Sequence, residues 1–136
     1  MSSRDIQNQI DGLYAQIRTF ESNISEIKMM KSDIISNSNS IDHDIKEWND
    51  MYDISSDNKW KGKLQEEAID YQYSISNSLS KYFEDIDNAL SDLNAIIYRL
   101  EEKINSCKAS ISSLEIELAN AIAYEREQQE KARTMF

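Results

Sequence analysis

The chain has 136 residues, 40 % hydrophobic and 29 % charged, with a formal net charge of −10. It holds two glycines and no proline, which excludes β-rich and α/β folds that spend Gly, Pro, Asn and Asp on many tight turns, and leaves long helices. The acidic balance repels phosphate backbones and anionic headgroups, so nucleic acid and membrane surfaces are excluded as partners.

The longest apolar runs are far short of the roughly 20 residues a spanning helix needs, so no membrane insertion is expected. Met1-Ser2-Ser3-Arg4-Asp5 leads into a polar amphipathic pattern rather than a secretory signal peptide. A cytoplasmic protein is expected, and any export would use a route that reads no such peptide. The length suits one domain over residues 1–136.

Helix one is expected over about residues 3–54. Ile6, Ile10, Leu13, Ile17, Phe20, Ile24 and Ile27 advance alternately by four and three, and the same phase continues through Lys31, Ile34, Ser38, Ile41, Ile45, Trp48 and Tyr52. Strands do not produce such a repeat. Ser36-Asn37-Ser38-Asn39-Ser40 is a run of poor helix formers. The apolar phase survives across it, so a soft or kinked but continuous helix is expected there.

The reversal is expected near residues 53–62. Ser55, Ser56 and Asp57 are good N-cap residues for a second helix over about 57–132. In that helix Ile86, Leu90, Leu93, Ile97, Leu100, Ile104, Cys107, Ile111, Leu114, Leu118 and Ala121 fill successive slots. Leu64, Ala68, Tyr71, Ile75, Leu79 and Tyr82 extend the stripe upstream with extra steps of four, like stutters in a coiled coil. The fold expected is all-α: an antiparallel, coiled-coil-like hairpin of two long helices.

The two helices differ in length. Folded back at residue 55, helix one reaches only to about residue 108 of helix two. Ile111, Leu114, Leu118 and Ile122 would then project beyond it, and with Ile104 they form the candidate partner-binding set. Leaving such side chains in water forgoes about 1.5–3 kcal/mol each, so a further helix is wanted as partner. An a/d stripe serves an internal seam and an intermolecular one alike, so a homodimer and a heterodimer both fit.

Trp60-Lys61-Gly62 stands at the reversal. Trp60 supplies a large rigid anchor with a donor N–H, and Gly62 allows close approach by another chain segment. A helix, a bend bearing Trp-x-Gly and a second helix resemble the WXG superfamily of small proteins handled by type VII (Esx-type) secretion systems. The Ser/Ile/Leu/Lys-rich heptads, the length and Trp60-Lys61-Gly62-Lys63 look most like its YwqH-like branch, whose members accompany LXG-domain toxins in Gram-positive bacteria. The resemblance covers most of the chain, with only Trp60 and Gly62 specific to the motif. It implies an adaptor that pairs with the helical LXG region of a toxin or with another WXG-type small protein, stabilises it and presents it for export, with co-secretion as one outcome. The alternative is a coiled-coil scaffold without an export role.

The superfamily's export signal is Tyr-x-x-x-Asp/Glu after the second helix. Tyr98 with Glu102 satisfies it, Phe83 with Asp87 fits a variant, and Tyr124 is better placed but is followed at the fourth position by Gln128. Asp42-His43-Asp44 contains the sole histidine and reads as a solvated face, and Cys107 as a small buried hydrophobe. With one His, one Cys and no Gly-rich phosphate loop, neither an enzyme nor a cofactor or metal site is expected.

Overall fold

The computed structural model describes residues 1–51 and 62–135, apart from the side chains of Lys46, Asn49, Asp50 and Met51. Its regular structure is helical: α1 is Ser3–Met51 and α2 is Lys63–Thr134. No strand occurs among the described residues. The chain divides into two compact units. A terminal unit combines Met1–Glu26 with Ile96–Phe136, and a central unit is Ile27–Ala95.

Each unit pairs a stretch of α1 with an antiparallel stretch of α2. In the terminal unit Ser3 bonds Glu125 and Cys107 bonds Gln16, so α2 numbers fall as α1 numbers rise. In the central unit the Lys31 ammonium donates to the Asn94 side chain. Further along, Ile34 and Asn37 share a groove wall with Tyr82, Asp85, Ile86 and Ala89.

Helix α1 follows its heptad phase. From Ile6 to Ile45, every slot of the repeat is buried or half-buried and the residues between are exposed. Trp48 is the first slot to be exposed, and Tyr52 lies outside the described residues. The helix runs unbroken through Ser36–Ser40, with Ser38 half-buried in its slot. Packing of the flanking slots holds a segment whose own propensity would not sustain a helix. At the start, the Ser2 carbonyl accepts from the Ile6 N–H at 3.1 Å, and the Ser2 hydroxyl accepts from the Asp5 N–H at 3.2 Å. Ser2 is therefore the N-cap, with Asp5 in the first turn where a negative charge meets the helix dipole.

Among the described residues, helix α2 begins at Lys63. Gly62 has φ of +68°, outside the helical range, and its carbonyl accepts the first helical bond from Glu66 at 3.2 Å. Gly62 thus caps α2 rather than lying inside it. Among the described residues, a Cβ on Gly62 would meet nothing within 4 Å. What requires glycine there is the left-handed backbone. Trp60, Lys61 and the proposed caps Ser55, Ser56 and Asp57 lie outside the described residues.

The length mismatch is also corrected. Ser3 bonds Glu125, and halfway between them in sequence lies residue 64, not 55. Only the last nine helical residues of α2, 126–134, extend past the Ser3 contact. The overhang expected from Ile111 to Ile122 is not seen: Ile111 is buried and Leu114 and Leu118 are half-buried within this chain.

Candidate partner-binding surface

The terminal unit has a closed seam. Its buried side chains are Ile6, Ile10, Ile17 and Ile24 from α1 and Ile97, Ile104, Cys107 and Ile111 from α2. Ile104 and Ile111, expected to face a partner, are 7 % and 4 % exposed within this chain's own seam. Leu114 and Leu118 are half-buried along the same line, and Ile122 is exposed on the flank. The set does not form one surface: four members continue the internal seam, and one faces water.

Polar contacts close this unit's ends and sides. The Ser3 N–H and hydroxyl donate to the two carboxylate oxygens of Glu125 at 3.0 and 2.7 Å. The backbone bond first, then the hydroxyl bond, holds the Glu125 carboxyl below its ordinary pKa. Lys103 lies 5.8 Å from the centre of the Phe20 ring. Those two residues and Gln16, Arg99, Glu102 and Cys107 line a broad open groove. The Cys107 thiol donates to Gln16 Oε1 at 3.8 Å, which satisfies it in its buried slot.

The central unit contrasts with this. Among its described residues none is buried; its best-covered apolar side chains are only half-buried. The upstream stripe of α2 faces a different way from the one expected. Gln65, Ala68, Gln72, Ser76, Leu79 and Phe83 are the half-buried positions, continuing backwards the three-and-four rhythm of Ile86–Ala121. Leu64, Tyr71, Ile75 and Tyr82 each precede an inward residue by one, which turns them about 100° away. They are 67 %, 73 %, 44 % and 42 % exposed. Of the six expected upstream slots, only Ala68 and Leu79 point inward.

The four exposed residues form a line of their own. Spacings of seven, four and seven place them within about 40° of one another down α2. Tyr82 also lines the open groove with Ile34, Asn37, Asp85, Ile86 and Ala89. On α1, Met30 and Trp48 are exposed at helical positions on the same flank as Asn37. Solvated apolar residues at this spacing are the sequence signal for the surface, once the inward phase is counted back from the dense stripe.

The export-signal candidates are scattered. Tyr98 and Glu102 are both exposed, one turn apart on α2 in the terminal unit. Phe83 is half-buried in the central seam, edge-on to Tyr82 at 5.6 Å and 63°, while Asp87 is exposed. Tyr124 is exposed beside Glu125. On α1 the structure does bring His43, Asp44 and Glu47 together, with ligating atoms within 4.8 Å of one another. The imidazole stands 3.7 Å from Asp44 and 3.6 Å from Glu47. All three are exposed, an arrangement that helical neighbours adopt in water without an ion. No helix among the described residues is long and apolar enough to cross a membrane.

A family model described as YwqH-like matches residues 2–122. No curated protein and no solved structure matches the chain.

Proposed function

Because this chain belongs to the YwqH-like family, we propose that it is a type VII (Esx-type) secretion-associated adaptor whose role is binding rather than catalysis. It pairs through its helices with the helical LXG region of a toxin in a Gram-positive bacterium. Pairing covers apolar surface on both chains, stabilises the toxin's helical region and presents it to the secretion machine. Loading takes place in the cytoplasm, and the exposed Tyr98 and Glu102 are the residues available for recognition by that machine.

One observation carries the pairing: among the described residues every buried apolar side chain lies in the terminal unit, and the central unit leaves large apolar side chains in water. Burying Leu64, Tyr71, Ile75 and Tyr82 against a partner gains about 1.5–3 kcal/mol for each side chain fully covered, before the cost of association.

Co-expression with the adjacent open reading frames, followed by size-exclusion chromatography, tests the reading. Co-elution with a neighbouring toxin's N-terminal region supports it; a helical monomer that binds no neighbour sinks it. In the complex, Trp60→Ala is expected to impair toxin export more than helicity, and loss of both in proportion would make Trp60 merely structural.

A further inference from the structure

We propose that the line of Leu64, Tyr71, Ile75 and Tyr82 on α2 docks an amphipathic helix from a different protein, with an apolar stripe flanked by lysine and arginine. The inference deepens the pairing part of the adaptor reading and rests on that part alone; it needs no export step.

The shape of the occupant follows from the spacing. The four side chains extend over eighteen residues, five helical turns or about 27 Å, along a nearly straight line. A helix presents a ridge of matching length and straightness, and it would seat beside Tyr82 in the groove walled by Ile34, Asn37, Asp85 and Ala89. The resulting three-helix packing would give the central unit the enclosed core that two thin helices do not supply.

The charge of the occupant follows from the surroundings. Residues 27–95 carry fourteen Asp and Glu against seven Lys and Arg, a net −7 of the chain's −10. Glu67 and Asp85 project from α2 at the helical positions directly bordering the apolar line on the side away from the seam, with Lys63, Lys81 and Asp70 further round, so the immediate border is acidic. Carboxylates along the edge of an apolar stripe favour lysine and arginine opposite and disfavour glutamate, much as e and g positions select partners in coiled coils. A second copy of this chain would set its own Glu67 and Asp85 against the same acidic border. The charge therefore selects against self-association.

The test uses the full-length chain and two helix-stabilised synthetic peptides of about 20 residues with an identical Leu/Ile stripe. One peptide has Lys and Arg at the flanking positions, the other Glu. Binding is measured by titration calorimetry at low and high salt, with sedimentation of the protein alone. The basic peptide is expected to bind at least about tenfold more tightly than the acidic one, and to weaken as salt rises. Tyr71→Ser with Ile75→Ser should lower its affinity about tenfold or more at unchanged helicity. Tyr73→Ser, on the opposite side of α2 and 69 % exposed, should leave it unaltered. No binding of the basic peptide, equal binding of both, or indifference to the double substitution overturns the proposal. So does a homodimer that the double substitution dissolves. Failure to co-elute with any neighbouring gene product would instead strike the adaptor reading and leave the peptide result standing.

Discussion

The same substitution at the two glycines should act with opposite sign. At Gly62 the backbone has φ of +68°, and an added Cβ meets nothing within 4 Å, so the whole effect of Gly62→Ala is conformational. Holding alanine in the left-handed region costs about 1–2 kcal/mol, offset by about 0.4–1 kcal/mol for the restricted unfolded chain. The net expectation is destabilisation by about 0.5–1 kcal/mol. Gly12 lies inside α1, and a Cβ there is also unopposed. Gly12→Ala should therefore stabilise by about 0.5–1 kcal/mol through helix propensity. Urea unfolding followed by far-ultraviolet circular dichroism reads both, as midpoints moving apart at constant slope. Gly62→Asn, which tolerates the left-handed region, should recover part of the loss. If Gly62→Ala raises the midpoint as Gly12→Ala does, the capping role of Gly62 is wrong.

Two further predictions concern the terminal unit. Ile104→Ala and Ile111→Ala should each destabilise the isolated chain by about 2–4 kcal/mol, against less than about 1 kcal/mol for Ile122→Ala; equal small losses in thermal melts would return Ile104 and Ile111 to a partner surface. Glu125 has a folded pKa below its unfolded value because the Ser3 donors stabilise the carboxylate. Its contribution is therefore present above the ordinary carboxylate range and is lost as pH falls through the depressed folded value. Carbon-detected titration should find Glu125 protonating below the ordinary carboxylate range, with the Ser3 amide signal following it, and Glu125→Gln should remove that step.

Helix α1 was legible because one phase runs unbroken for forty residues from Ile6 to Ile45, and the even alternation of three and four fixes which side is covered. That phase also outweighed the local signal of Ser36–Ser40. The downstream stripe of α2, Ile86–Ala121, was legible for the same reason. The upstream part was not, because assigning Leu64, Tyr71, Ile75 and Tyr82 inward assumes that apolar residues face the chain's own seam. Geometry imposes the opposite order: a straight helix keeps the rhythm set downstream, and Gln65, Gln72, Ser76 and Phe83 fall on it. The residues that broke the pattern are those of the candidate surface. The start of α2 was less legible: Ser55, Ser56 and Asp57, which lie outside the described residues, signal a cap by side-chain chemistry, whereas Gly62 signals one by backbone freedom, its φ of +68° standing just before the helix begins at Lys63.

The inward polar residues make the division of labour between the two units testable within this chain. Ser76 is half-buried on the seam side of α2, in a unit with no buried apolar residue among those described. Ser76→Leu places an isobutyl group where only a hydroxymethyl now packs. At half burial this gains about 1 kcal/mol, with a further few tenths from helix propensity. Ser80→Leu, one turn on but exposed, shares the propensity gain and lacks the burial. A unit whose closure depends on its own seam should therefore stiffen with Ser76→Leu, seen as slower amide exchange over residues 63–95, and not with Ser80→Leu. Because Leu64, Tyr71, Ile75 and Tyr82 lie a quarter-turn away, the same substitution should leave binding of a partner helix in place. If Ser76→Leu and Ser80→Leu protect α2 equally, Ser76 does not face the seam. The outward assignment of the apolar line, which rests on the same helical phase, then fails with it.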